Sequence, residues 1–496
     1  MVVLEARDRV GGKTYSPLLD DVAVDLGAHW VGPLHRRVRA LAGELGIVPE
    51  RQLLRGRHVT VFGGRRRAHR FELPVAPVGG LVELGLRTAE LEVRRMWMPA
   101  DAPWQRRGAA GEDARTLGDW AASLRSTTAR AAVVALARTA VGVEPDELSL
   151  RHVLWLGAQN GGLASIMRFH GGAQDAHLPG GTQQLAAHLA TGLDDDLVLG
   201  AAVRSIETSG DEVRVHADGV GETPGASGGS GAGGGGTATP GRADVLAPAG
   251  GSVVVIARRV AVALPPALSA GIAFSPALPP ARAALAAQAP SGAYTKAILR
   301  FDRPWWRDEG LSGLALADRG PVQMVVDAGR AGDHPGILAA FVTGAAARTV
   351  GRLPPDARRR PVLDAVAALL GPRSGAPDGY ADLDWTTEPW SLGGPVAVLP
   401  RANAIPRAAS SSARMRTAFG PTPWIASRSS AVTSTSCAER TTPRAASSRG
   451  ATSPILGVSC GVGRTHGACI APTEHVCPPT TRLIAWPTIR SSTRAR

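Results

Sequence analysis

The chain has almost no lysine: of 55 basic residues only Lys13 and Lys296 are lysines. An ammonium group is therefore a single point in this molecule and not part of a solvated field. Cysteine is nearly as scarce, and Cys437, Cys460, Cys469 and Cys477 all fall in the last 96 residues. That distribution excludes a disulfide framework for the rest of the chain. His466 and His475 lie near those cysteines, but the spacing fits no zinc-ligand pattern and no metal is expected. No stretch approaches the roughly 18 to 20 uninterrupted apolar residues of a membrane span. Met1–Leu4 is too short for the apolar part of a secretory signal, so a cytoplasmic location without a membrane partner is the expectation.

Charge is unevenly spread. The net charge of +13 suggests a nucleic-acid partner until it is divided along the chain. Residues 401–496 hold 13 arginines against Glu439 and Glu474, which leaves the first 400 residues near +2, ordinary for an enzyme. No basic motif interleaved with aromatics occurs in the tail, and no nucleic acid is expected. Serine and threonine make up 27 of these 96 residues, and no helical or strand period survives there. This abrupt change reads as a low-complexity basic tail, either disordered or translated in a shifted frame.

Periodicity organises the remainder. Val38, Leu41, Ala42 and Leu45 predict a helix over 36–46, and Val59–Phe62 a strand entering the turn Gly63-Gly64. Helical patterns follow at 81–98, 117–124, 129–141, 148–156 and 183–190, the last with Thr182 as its N-cap. Strands are predicted at 203–206, 213–216, 253–256 and 259–264, with a Gly-rich flexible insert over 219–251. The length allows two to four domains.

The richest signal lies at the start. Val2–Leu4 is a short apolar run closed by Glu5, then a basic stretch, Arg7 to Arg9, and the pair Gly11-Gly12. In a doubly wound nucleotide-binding sheet, an acid at a strand end accepts hydrogen bonds from the adenosine ribose, and glycines let main chain approach the cofactor. The Gly-rich turn GxGxxG that holds a pyrophosphate has no counterpart here. Gly219, Gly221 and Gly225 lack the strand-to-helix setting it requires.

The run LEARDRVGGKT, followed by Asp25-Leu26-Gly27-Ala28-His29-Trp30-Val31-Gly32-Pro33, resembles the flavin-dependent amine oxidases. Four later stretches resemble the same family in the same order: 171–181, 257–266, 294–306 and 388–396. The resemblance implies an α/β fold, an α+β two-domain flavoprotein with an incomplete Rossmann-like FAD-binding domain and a substrate domain of helices and mixed sheet. It divides the chain into a first FAD-binding part (1–75), a helical part of the substrate domain (76–190), a second FAD-binding part carrying the insert (191–265), a substrate-domain sheet returning toward FAD (266–400) and the tail (401–496).

The resemblance also implies roles. Glu5, Ala6, Arg7, Gly12 and Lys13 would bind the adenosine and phosphates, with Lys13 standing where the family usually has arginine. Gly27, Ala28, His29 and Trp30 would run along the flavin ring, Val203 would pair with adenine through its backbone, and Trp390 would wall the flavin. Lys296 would hold a water against flavin N5. Strand alternation places it on one face with Tyr294 and Ile298, and its alternative is a strand-end lysine snorkelling to solvent. Asn160 and Gln174 would line the substrate cavity. Gly394 stands where some relatives carry a cysteine bonded to FAD, so non-covalent FAD is implied, and Pro395 replaces an aromatic that flanks the amine. The reaction implied is oxidation of an amine to an imine, then aldehyde and ammonia, with oxygen reduced to hydrogen peroxide, and a homodimer is the expected assembly. The alternatives are a related flavin amino-acid oxidase or desaturase, and an inactive remnant of such an oxidase.

Overall fold

The computed structural model describes residues 1–71, 78–99, 102–105, 107–218, 244–246, 252–332 and 334–401. Its centre is a seven-stranded sheet in the order Gly379–Asp384, Tyr294–Phe301, Gly336–Thr343, Met324–Asp327, Leu311–Ala317, Arg57–Phe62 and Arg65–His69. All neighbours are antiparallel except Leu311–Ala317 with Arg57–Phe62. Residues 57–69 thus extend the sheet that carries Lys296, although they precede the boundary expected at 75.

The strand Tyr294–Phe301 shows why this sheet positions a site. Ala297, Leu299 and Phe301 point to one face, where Val362, Val366 and Leu369 of the helix Pro355–Leu370 cover them. Ile298 points to the other, against Phe341, Val24 and Leu26. A period of two therefore assigns Lys296 to the Ile298 face, as the alternation of the sequence predicts. Both long flanking strands hold it in register, with Lys296 opposite Phe341 on one side and Leu383 on the other.

A five-stranded sheet runs Asp244–Leu246, Val253–Ala257, Glu212–Ala217, Val203–Ser209 and Ala273–Ser275 around Ile206, Val213, Val215 and Val255. Beside it, Val3–Leu4 pairs in parallel with Leu197–Val198. The helical region comprises Val78–Met96, Leu117–Ala122, Thr127–Val141 and Leu150–Gln159, packed around Leu91, Trp120, Leu124, Val133 and Leu154. Thr116 and Asp119 close a reciprocal capping box on the second of these helices. No helix among the described residues is long and apolar enough to cross a membrane.

Three local expectations need correction. Residues 259–264 form no strand: arginines 258 and 259 and the Pro265-Pro266 step flank a segment left without a ladder. Within the tract 219–251, Asp244–Leu246 is a strand paired with Val253–Ala257, because Val245 and Leu246 find partners in Val255 and Val254. The other residues of that tract, and residues 402–496, lie outside the described set. Thr182 does not cap the helix Gln184–Ala190, whose N-cap is Gln183. Its hydroxyl donates to the Ala28 carbonyl at 2.7 Å instead.

Candidate active site

At the first end, the Glu5 N–H donates to the Val198 carbonyl, while Gly200 N and Ala201 N donate to the carbonyls of Arg7 and Glu5. The acid after the first strand is thereby laid beside the segment that leads into Val203. Glu5 Oε1 accepts from the Arg7 N–H at 2.9 Å. The Arg7 guanidinium, buried, donates through Nη2 to Glu388 at 2.5 Å and to Ser391 Oγ at 2.8 Å. Trp390 occupies the same turn as Glu388 and Ser391, so residues almost 400 positions apart are joined by one side chain. Arg9 donates to the Gly12 carbonyl and covers the Tyr15 ring at 4.0 Å. Gly12 has φ +56 with open space where a Cβ would stand, a conformation L residues avoid.

Lys13 connects this cluster to the middle of the site. Burial, with the charge of Arg7, lowers its pKa to about 8 against the opposing pull of Glu388. Its carbonyl accepts from the Ala28 N–H at 3.0 Å, and Tyr15 accepts from Leu26 N and Gly27 N. Main chain meets main chain so closely at Gly27 that a Cβ there would stand 2.9 Å from Tyr15 N and overlap the Lys13 carbonyl. Glycine is the residue this crossing admits.

The segment 25–30 is held by an acid. Buried Asp25 accepts from Ser16 Oγ at 2.6 Å, Thr182 N at 2.8 Å and His29 Nδ1 at 3.0 Å, with Thr182 Oγ1, which donates to Ala28, 3.1 Å away. Burial pushes its pKa up, but His29, Lys296 and Ser16 together bring it below the ordinary carboxylate value. A carboxylate with so many donors stays ionised. His29, buried and deprived of water, has a lowered pKa against the pull of Asp25. It is neutral, with Nδ1–H toward Asp25, and its ring stacks on His177 at 5.5 Å. Burial likewise takes His177 down to about 4.

Lys296 closes the line at the second end. It is 2% exposed, and Nζ donates to the Gly27 carbonyl at 3.3 Å while lying 5.3 Å from the Phe341 ring centre. Burial lowers its pKa to about 8, with Asp25 opposing. The snorkelling alternative is therefore excluded. Phe341 stacks on Trp30 at 5.6 Å, Trp30 meets Phe169 edge-on at 6.0 Å, and Tyr294 and Met167 join the same apolar cluster. Trp30 Nε1 is satisfied by Gln52 at 2.8 Å. Trp385 donates to the Leu26 carbonyl at 3.0 Å from the opposite side.

The cavity candidates differ. Gln174 is buried, with Nε2 3.8 Å from Met167 Sδ, which ties it to the aromatic cluster. Asn160 ends the helix Leu150–Gln159 and turns its amide back onto the Leu156 carbonyl at 2.9 Å. The sequence reading assigned no role to Asp25 or Glu388, although both stand inside stretches that carried the resemblance. Their pairing with residues 150 to 380 positions away leaves no mark on spacing. His177 lies in the stretch 171–181 that carried the resemblance but was assigned no role, and Gln52, Phe169 and Phe341 carried no sequence signal.

Among the described residues, Arg7 Nε, His29 Nε2, Gln174 Oε1 and the two ring nitrogens of His177 are buried here without a hydrogen-bond partner. Buried donors and acceptors are rarely left so. With Arg7, Arg9 and Lys13 against Glu5 and Glu388 at one end, and aromatic rings around a lysine at the other, the line fits an elongated group that is anionic in its middle and planar at its end. Such an arrangement suits a dinucleotide cofactor.

A family model for flavin containing amine oxidoreductase matches residues 1–418. A Mycobacterium tuberculosis protein, AofH, named as a flavin-containing monoamine oxidase, is 35% identical over 401 residues, 81% of this chain and 80% of that protein. A Dictyostelium discoideum protein named as flavin-containing monoamine oxidase A is 28% identical over 399 residues, 79% of this chain and 80% of its own length. Among solved structures, a putrescine oxidase bound to putrescine superposes with a TM-score of 0.72 at 24% identity, covering 85% of each chain. The chain belongs to the flavin-containing amine oxidoreductases: it is an FAD-dependent oxidoreductase acting on amines.

Proposed function

We propose that the chain oxidises an apolar primary monoamine to an aldehyde and ammonia, using FAD held non-covalently between Glu5 and Lys296. The observation that carries this reading is the hydrogen-bonded cluster of Glu5, Arg7 and Glu388, in which the charges of Arg7 and Glu388 act on Lys13, followed by the main-chain crossing of Lys13 with Gly27 and Ala28 and the bond from Lys296 to the Gly27 carbonyl. In it, Glu5 and Ala6 meet the adenosine sugar, the main chain at Val203 meets adenine, and Arg7, Gly12 and Lys13 serve the phosphates. Gly27, Ala28, His29, Trp30 and Trp390 serve the ring. Gly394 offers no thiol for a covalent bond. FAD, when bound, takes a hydride equivalent from the amine carbon and passes electrons to oxygen, giving hydrogen peroxide.

The protein's part is orientation and electrostatics. Trp30, Phe169, Phe341 and Tyr294 form a dry wall that favours the uncharged amine. Gln174 Oε1, buried and without a partner among the described residues, is an acceptor for the amine N–H, and Asn160 is assigned to the same cavity. Among the described residues the buried carboxylate at this end is Asp25, already filled by its donors. A second ammonium finds no free acid there, which favours monoamines over diamines. Lys296 Nζ, with a pKa near 8, holds or releases a proton close to neutrality and so positions a water at the reacting end.

The visible spectrum of the purified protein tests this. Bands near about 375 and about 450 nm belong to oxidised flavin, and colour released into the supernatant by acid precipitation marks it as non-covalent. An anaerobic addition of benzylamine should bleach the long-wavelength band. A colourless protein that takes up no FAD overturns the reading and favours the inactive remnant.

A further inference from the structure

Of the six methionines, Met415 lies outside the described residues, and the other five stand in different settings. Met1 and Met96 are 77% and 71% exposed, whereas Met98 and Met324 are enclosed in cores at 6% and 1%. Met167 belongs to neither kind. It is half-buried at the end of the short helix Leu163–Met167 and packs on the cluster of Trp30, Phe169, Phe341 and Tyr294 at the Lys296 end of the site. Its sulfur accepts from Gln174 Nε2 at 3.8 Å. Ala164, Arg168 and His170 beside it are exposed, so this segment bounds the aromatic cluster toward solvent. A thioether fills space as an apolar group, yet it keeps sulfur electrons that an oxidant can reach.

We infer that Met167 is a modification site for the enzyme's own hydrogen peroxide, and that its sulfoxide weakens the binding of apolar amines. The inference rests on the oxidase reading, which supplies the peroxide at this end of the site. In the step, a sulfur lone pair displaces hydroxide from one peroxide oxygen: an S–O bond forms as the O–O bond breaks, the proton of the transferred hydroxyl passes to the departing hydroxide, and water leaves. Sulfur is oxidised by two electrons and the peroxide is reduced by two. Position selects Met167 over the other methionines. Met324 shares the cluster but is enclosed, while Met1 and Met96 meet only peroxide already diluted into bulk water. Release beside Met167 gives it a far higher local concentration. The effect on binding passes through Gln174, whose amide N–H now rests on a weak sulfur acceptor. A sulfoxide oxygen is a stronger one, and a polar, chiral group then stands on the wall that favours the uncharged amine. Turnover thereby lowers the affinity of the site in proportion to the peroxide it has made.

Peptide mass spectrometry of the holoenzyme tests the assignment. The enzyme turns over benzylamine in air, with catalase in solution to remove peroxide that escapes, and is then digested with trypsin. The peptide 152–168 holds Met167 as its one methionine. One oxygen should accumulate on Met167 with the number of turnovers while Met1 and Met96 stay unmodified. Hydrogen peroxide added to resting enzyme without amine should reverse that order. Over the same turnovers the KM for benzylamine should rise about 10-fold, the scale of losing one apolar contact in a pocket. Met167→Leu, whatever its starting KM, should hold that KM steady, and if this variant fails to fold the wild-type spectra decide. Peroxide formation that leaves Met167 intact, or modifies it no faster than Met96, overturns the inference alone, as does a KM that drifts equally in Met167→Leu. A protein that consumes no oxygen with amine overturns the oxidase reading and this inference with it.

Discussion

Lys296 and Asp25 act on each other's charge, yet they are fixed by opposite kinds of structure. Lys296 stands in the middle of an eight-residue strand with a ladder on each side, and its backbone would hold its place whatever the side chain. Asp25 stands in an irregular segment that passes between two short strands and owes its path to side chains. Its carboxylate gathers Ser16, Thr182 and His29 from separate places in the chain. The sheet displays a functional group, whereas in the loop the charged group is itself the scaffold.

The largest expected effect follows from that contrast. Asp25→Ala leaves the donors of Ser16 Oγ, His29 Nδ1 and Thr182 N without their acceptor and removes the counter-charge of a buried ammonium, so urea unfolding should show a loss of about 3 to 5 kcal/mol. Lys296→Met should change stability by less than about 1 kcal/mol, since the residue has one weak hydrogen bond and a methionine suits its apolar setting. Its turnover should nevertheless fall on the order of 100-fold, the usual scale for losing a positioned proton-handling group. Equal destabilisation by the two substitutions would erase the distinction between display and scaffold.

The pH dependence of stability sharpens it. A lysine with a folded pKa of about 8 has released a proton that the unfolded chain keeps up to about 10.5. The unfolded state therefore binds more protons across that window, and stability should rise with pH from about 8 upward. Tyr294 acts in the other direction: burial raises its pKa, so above about pH 10 the folded chain keeps a proton the unfolded one has lost, and the rise should end there. In Lys296→Met the rise should persist in part, because Lys13 shares the same shift. A curve flat from pH 8 to 10 in the wild type would show that neither lysine is as deeply desolvated as its surroundings indicate. A modest effect should come from Glu388→Gln. The amide still accepts from Arg7 but gives up the charge, at a cost of about 1 kcal/mol in thermal unfolding.

What could be read in the sequence follows the same division. The strand of Lys296 and its company with Ile298 came from a period of two, because a sheet writes its geometry into every second residue, whereas its burial was open against a lysine reaching solvent. The helices at 117–124 and 129–141 came from their apolar spacing to within a few residues. The loop-built parts were recognised only as stretches like those of a family, and the work each residue does there stayed hidden. Thr182 was read as a helix cap because its neighbours permit one, but tertiary demand from Asp25 and Ala28 takes its donors. Arg7 reaching Glu388 depends on two distant segments being adjacent, which no local pattern encodes.

The scarcity and burial of lysine bear on the chemistry in one more way. Aldehydes condense with primary amines to form Schiff bases, and guanidinium groups are far poorer partners in that reaction. This chain carries its side-chain positive charge as 53 arginines and two lysines, of which Lys296 is buried and Lys13 half-buried. An enzyme that releases aldehydes would thus keep its exterior nearly inert toward its own product, and fluorescamine should label the native protein at little more than its N-terminus until it unfolds.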